Sequence, residues 1–378
     1  MLTVLHLVPD MDSYGGTPIQ RVSMVRHAPR HDIRDVFLVF KDAPESLVGE
    51  LRSLGAPVHV VERRSQFRLD LVADVVRLCR ACSPDVLVTN FARADILGTL
   101  AGRLAGVPVV KWVHSIAWND SRFLQWTDRL LAGSRSLTIC NSLASRDALL
   151  RAGYRGRLAV LHNGIEDITK RASRSRAEMR SELGCADADV VVGHVGAMNA
   201  LRDPLTIVAA VAMLAAQAEN WRLVIAGEGP MKGEVVRRAR ALGIEHRVTL
   251  LGNRRDIADL HRAFDMYVNV APREAFGIAV VEAMQSQLPV VVSNVGGLPE
   301  LIEDGVSGLL VRPGDPRALM SALESIAGDN GRAEALGAAA RDRALRLFGA
   351  ERFAADRVAL VRAAAAHEAV VEPRFHPA

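Results

Sequence analysis

Residues 273 to 311 read REAFGIAVVEAMQSQLPVVVSNVGGLPELIEDGVSGLLV. Glu274 and Glu282 stand eight positions apart, and the run from Gly277 to Gln287 is rich in good helix formers. The spacing places Glu282 inside a helix and Glu274 on the loop entering it. A helix starting near Phe276 leaves its first amides unpaired beside a positive dipole end, a site suited to an anion. Leu288-Pro289 then ends the helix, Val290 to Val292 reads as a buried strand, and Ser293 to Gly297 as a turn of small residues. Pro299 suits the first turn of a short helix closed by Gly305.

Taken in order, Glu274, seven residues, Glu282, Ala-Met, Pro-Val-Val, Gly-Gly-Leu-Pro-Glu and Gly-Val-Ser-Gly-Leu-Leu-Val resemble the donor-sugar signature of the retaining glycosyltransferases of family 4. The resemblance implies an α/β protein of the GT-B fold: two Rossmann-like α/β/α domains facing across a cleft, with a C-terminal helix crossing back to the first. It runs from about residue 2 to 366 and is sharper in the second half.

Strand and helix patterns alternate through the chain in two series, the sign of two parallel-sheet domains. The first has strands at Thr3–Val8, Val36–Phe40, Val58–Val61, Val86–Val88, Val109–Val113, Ser136–Cys140 and Leu158–Leu161. His162-Asn163-Gly164-Ile165-Glu166 resembles the family's close of the N-terminal domain. Residues 1–168 are expected to bind the acceptor. The charged stretch 169–184 reads as a linker, 185–349 as the nucleotide-sugar domain, and 350–378 as the crossing helix with a disordered tail.

In the second series the strand Val190–Val195 enters Gly196-Ala197-Met198-Asn199-Ala200-Leu201-Arg202-Asp203-Pro204. Family members commonly carry an Arg and a Lys here to neutralise the donor diphosphate. Ala197 replaces the Arg and Arg202 the Lys, so one cation is missing, although Arg202 retains a fork suited to phosphate. Gly227-Glu228-Gly229-Pro230 matches a Gly-Asp-Gly-Pro turn of the family, and the resemblance sets Asn253 and Arg254 against the nucleotide base.

In the first half, Asp12 to Thr17 is a polar turn whose Gly-Gly pair, Gly16 included, the family sets against the donor phosphate. An ordinary turn pair is an equally simple reading. His114 stands just past the carboxyl end of a strand, where relatives carry a His close to the transferred sugar. Trp118 to Gly133 is amphipathic, with Phe123, Trp126, Leu130 and basic neighbours. Packing against its own domain is expected, with a membrane interface or an acceptor groove as alternatives.

The net charge is +4 over 378 residues, with 21 Lys and Arg against 17 Asp and Glu in residues 1–168 and a surplus of acid after residue 180. This balance, with only 4% aromatics, excludes a nucleic-acid-binding stripe and favours a diphosphate-bearing acceptor or an anionic membrane surface. No apolar run reaches the ~20 residues of a membrane helix, and the start lacks a signal peptide's basic region, so a cytoplasmic location is expected, peripheral at the inner face of the membrane. Cys79 and Cys82 have a metal-like spacing but end a helical pattern with no second pair, and no HExxH occurs.

The expected activity is metal-independent, retaining transfer of a hexosyl group from a UDP- or GDP-sugar to a sugar or lipid-linked acceptor in surface-polysaccharide or glycolipid biosynthesis. No cofactor is expected. His114, Glu274 and Arg202 are the catalytic candidates. Gly16, Gly196, Arg202, Gly229, Asn253, Arg254, Glu274, Phe276, Gly277, Ile278 and Glu282 are the donor-binding candidates, with Glu282 on the ribose and Glu274 on the sugar. A GT-B epimerase, a natural-product glycosyltransferase and a catalytically weakened scaffold subunit are the alternatives.

Overall fold

The computed structural model describes residues 1–9, 11, 16–40, 46–61, 70–116 and 122–369. Two compact units emerge, Met1–Ile165 with residues 350–369, and Glu166–Gly349.

In the first unit β1 (Leu2–Val8), α1 (Gly16–His27), β2 (Ile33–Val39), α2 (Val48–Ser53), β3 (Val58–Val60), α3 (Asp70–Cys82), β4 (Val86–Asn90), α4 (Ala92–Ala105), β5 (Val109–Val113), α5 (Arg122–Leu130), β6 (Leu137–Cys140), α6 (Leu143–Arg151) and β7 (Leu158–Val160) follow one another. The strands form a parallel sheet ordered β3-β2-β1-β4-β5-β6-β7. Near-continuous apolar strands such as Val86–Asn90 are buried throughout, as a sheet covered on both faces requires.

The second unit contains α7 (Arg176–Leu183), β8 (Val190–Val195), α8 (Pro204–Ala215), β9 (Trp221–Ala226), α9 (Lys232–Ala241), β10 (Val248–Leu250), α10 (Ile257–Ala263), β11 (Met266–Asn269), α11 (Ile278–Gln285), β12 (Val290–Ser293), α12 (Leu298–Leu301), β13 (Leu309–Val311), α13 (Pro316–Ala327) and α14 (Asn330–Phe348). Its parallel sheet runs β10-β9-β8-β11-β12-β13. In both sheets the order reverses beside the first strand, between β1 and β4 and between β8 and β11. Loops leaving the carboxyl ends on either side of such a reversal diverge and open a ligand crevice.

Residues 169–184, charged and without a strand pattern, contain α7, which packs with α10 inside the second unit. Ser175 and Glu178 form a capping box at its start. The charges are used locally: buried Arg180 and half-exposed Arg176 both reach Asp265, at 2.6 and 2.5 Å.

The last helix, α15 (Ala350–Ala365), belongs to the first unit, where Phe353, Val358, Leu360, Val361 and Ala364 enter the core with β1 and β4 residues. Its Arg357 makes two bonds to Asp35 on β2, 2.9 and 3.0 Å, and His6 on β1 adds a third at 2.8 Å. All three are buried. Burial opposes the charge on Asp35, but the Arg357 guanidinium and the His6 bond outweigh it and hold the carboxyl well below the usual carboxylate range.

The segment carrying Trp118, the turn residues Asp12 to Gly15 and the tail from residue 370 lie outside the described residues. Among those described, no helix is long and apolar enough to cross a membrane.

Candidate active site

In the second unit the loops after β8 and β11 meet at the sheet's reversal point. The β8 loop carries Gly196, exposed Ala197 and Arg202, and then Asp203, which caps α8 by accepting from Thr206. The β11 loop carries Glu274 to Gly277. Arg202 donates from Nη1 to Oε2 of Glu274, while the amide of Ala275 holds Oε1 at 3.0 Å and the Gly297 amide donates to the Glu274 carbonyl at 2.9 Å. Glu274 is thus tied down from three sides. Burial pulls the Arg202 guanidinium below its usual value, with the Tyr267 hydroxyl opposing.

Gly277 sits at φ 102°, a left-handed turn that brings the chain into α11, and a Cβ there would press on Leu298 of α12 at 2.9 Å. The helix therefore begins at Ile278, two residues later than the sequence suggests. The amides of Ile278 and Ala279, at the first turn of α11, have no acceptor within the helix. The Phe276 side chain is buried edge-on against Phe348, at 5.6 Å between ring centres, so this residue can contribute only its backbone.

Glu282 lies one turn further along α11. Burial pushes its carboxyl up to about 7, with Arg171 acting the other way. Tyr267 is its neighbour: the Glu282 charge helps to raise the phenol, whose hydroxyl donates to the Val195 carbonyl at 3.1 Å, next to Gly196. Glu282 and the Gly196 turn are thereby linked through one side chain. Gly229 closes the same floor, because its backbone packs so tightly on Met198 that a Cβ would collide with the Met198 carbonyl. Asn253 is exposed on the loop after β10. The Arg254 guanidinium is committed to Asp256, at 2.8 and 2.6 Å, and to Glu182 at 2.9 Å.

His194, which the sequence reading did not single out, lies beside the Gly196 turn. It is buried in β8 two positions before Gly196, and its Nδ1 donates to the Val268 carbonyl at 2.9 Å. Burial, with the Arg202 charge adding, lowers its pKa to about 4 against the effect of that bond. The ring is neutral, and its bare Nε2, without a hydrogen-bond partner, lies under the Gly196 turn. A strand-interior His among valines is the only sequence signal it gives.

In the first unit Gly16 opens α1. His114 lies past β5 in a narrow pocket with His6, Gln20, Arg21, Met24, Asn90 and Trp112. Trp112 stacks on it at 5.5 Å. Phe91, at φ 69°, presents a 47% exposed ring 6.2 Å away.

α5 differs from the expectation of apolar packing. Its buried residue is Asp128, gripped by Lys111 at 2.5 Å and Arg135 at 2.6 Å, while Phe123, Trp126 and Leu130 are 66%, 56% and 61% exposed. The ion cluster fixes the inward face, so the apolar stripe points outward.

Residues 14–167 match the profile described as Glycosyltransferase Family 4, and residues 175–343 match that of Glycosyl transferases group 1. The chain belongs to glycosyltransferase family 4. The family 4 chain is 28% identical over 325 residues to the putative glycosyltransferase EpsF of Bacillus subtilis (strain 168), covering 82% of this chain and 83% of that one. It is 30% identical over 292 residues to a D-inositol 3-phosphate glycosyltransferase of Corynebacterium kroppenstedtii, covering 71% of this chain and 65% of the relative. Among solved structures, Anabaena Alr3699/HepE in complex with UDP and glucose superposes with a TM-score of 0.83 at 27% identity, over 94% of this chain and 98% of that one. The same protein has been solved with UDP-glucose. This family 4 member is a glycosyltransferase with the GT-B fold.

Proposed function

We propose that the enzyme transfers a hexosyl group from a UDP-sugar to an acceptor hydroxyl with retention of configuration and without a divalent metal. The observation that carries this reading is the convergence of Arg202, Glu274 and the start of α11 at the reversal point of the second sheet. A nucleotide diphosphate laid there meets a guanidinium and the α11 amides, which together offset the charge of the leaving group. Glu282 accepts the ribose hydroxyls, and Glu274 orients the sugar. The UDP and UDP-glucose complexes of the Anabaena protein support the choice of UDP over GDP. Retention is assigned to same-face attack assisted by the leaving phosphate, so Glu274 orients and does not act as a nucleophile. Incubation with a panel of nucleotide sugars, with nucleotide release measured and the product's anomeric configuration read by NMR, tests the reading. Release from GDP-sugars alone, or an inverted product, would overturn it.

The acceptor is proposed to be a sugar or lipid-linked saccharide of surface-polysaccharide or glycolipid synthesis, met at the cytoplasmic face of an anionic membrane. The inverted α5 supports this placement. Exposed Phe123 and Trp126 are of the types that settle at a bilayer interface, and Arg129 is exposed on the same helix. Co-sedimentation with phosphatidylglycerol vesicles tests it: the native chain pellets, and a Phe123→Ser, Trp126→Ser variant stays in solution. Equal pelleting of the two excludes α5 as the contact.

A further inference from the structure

We propose that Asn90 is a positioning residue that locks His114 into a single tautomer, so that Nδ1, buried beside the pocket, is left as a bare acceptor for a sugar hydroxyl. Asn90 is buried at the carboxyl end of β4, beside the reversal point of the first sheet. Its Nδ2 donates to the Leu7 carbonyl of β1 at 3.2 Å, a contact that fixes which end of the amide is oxygen. Oδ1 is then left facing His114 Nε2 at 2.9 Å. An amide oxygen only accepts, so Nε2 must carry the hydrogen. In a neutral ring this leaves Nδ1 with a lone pair, and Nδ1 has no hydrogen-bond partner among the described residues.

Neutrality follows from the surroundings. Burial, with the nearby Arg21 charge adding to it, lowers the His114 pKa to about 3. Among the described residues the other titratable groups lining the pocket are Arg21 and His6, and neither supplies a negative charge. His114 therefore cannot act as a proton donor near neutral pH. It receives a hydrogen bond from a hydroxyl, whether of the donor sugar or of the acceptor, and a mirrored tautomer would present an N–H to the same hydroxyl and orient it differently. The strained turn at Phe91, directly after Asn90, lies where backbone strain is commonly stored, at a site whose geometry is over-determined.

The assignment of a hydroxyl rests on the transfer reading above, whereas the tautomer does not, and the two are tested separately. In the full-length ¹⁵N-labelled chain, imidazole correlation spectra, with His114 assigned through His114→Gln, are expected to show a protonated Nε2 and a bare Nδ1, unchanged between pH 6 and 8. A protonated Nδ1 overturns the proposal whether or not any donor is turned over. Asn90→Leu should lose the single tautomer. Asn90→Asp, which keeps an acceptor but adds a charge, should move the His114 titration to higher pH. With UDP-glucose as donor, Asn90→Leu should lower UDP release roughly five- to tenfold, the effect of one neutral hydrogen bond, with UDP affinity unchanged. Asn90→Asp should give the pH profile a limb that the native enzyme lacks. Loss of release without acceptor places the hydroxyl on the donor, and loss only with acceptor present places it on the acceptor. Native rates and profile in both variants overturn the positioning role.

Discussion

Arg202 and Glu274, separated by 72 positions in the chain, are hydrogen-bonded to each other across the reversal point of the second sheet. The proposed diphosphate cation and the proposed sugar-orienting carboxylate are thus partners of each other. A phosphate arriving at Arg202 competes with Glu274 for the guanidinium.

That competition sets the first expectation. Glu274→Gln should bind UDP up to about fivefold tighter than the native enzyme, since roughly 1 kcal/mol of competing ion pair is removed, while transfer falls. Calorimetry with UDP alone and steady-state turnover read the two effects. Weaker UDP binding in this variant would show that Glu274 supports the nucleotide directly.

Arg202→Ala removes the side-chain cation of the β8 loop. A charge-assisted hydrogen bond is worth roughly 1.5 to 3 kcal/mol, so transfer should drop by about one to two decades or more. Transfer at the native rate would place the phosphate elsewhere.

Ala197 is exposed on the same loop, with room for a longer side chain. Ala197→Arg should restore the cation that the family commonly carries there and lower the UDP dissociation constant. An unchanged constant would mean that the loop departs from the family's geometry at the phosphate.

Glu282 should trade stability for binding. Its carboxyl, raised to about 7 from 4.5, holds its proton more tightly in the folded protein than in the unfolded chain. Its contribution to stability is therefore full at low pH, is lost as pH rises from about 4.5 to 7, and is constant above that. Glu282→Gln should raise the melting temperature at pH 8, by up to about 3 kcal/mol in stability, and leave it unchanged at pH 4. UDP affinity should fall in the same variant. In the native enzyme that affinity should increase as pH rises toward 7, because the ribose hydroxyls need the charged acceptor. A flat pH dependence of UDP binding would contradict the role given to Glu282.

Transfer should persist in excess EDTA. The diphosphate charge is assigned to Arg202 and the α11 amides, and a divalent ion has no part in that arrangement. Activity abolished by chelation and restored by manganese would refute it.

The strands and the glutamate motif were legible because their signals are local: a valine-rich run such as Val190–Val195 has the bounds read from the sequence. Contacts made across the chain leave no such trace. The Arg202–Glu274 bond and the Arg357–Asp35 pair join distant segments through backbone geometry that no periodicity encodes. α7 was hidden for a related reason. Its charged residues look like a solvated linker, and their partners, Asp265 for Arg176 and Arg180 and Arg254 for Glu182, lie far along the chain. The α5 stripe was read as amphipathic, but only the Lys111–Asp128–Arg135 cluster decides which side turns inward.

The placement of α15 has a consequence for how the molecule is made. The ribosome completes Glu166–Gly349 before it releases the helix that the first unit requires. Until then residues 1–165 have an apolar face where Phe353, Leu360 and Val361 belong, and Asp35 lacks the guanidinium that balances it. The unit synthesised first is therefore the last to close. A chain truncated after Gly349 should yield a folded second unit and a first unit that aggregates.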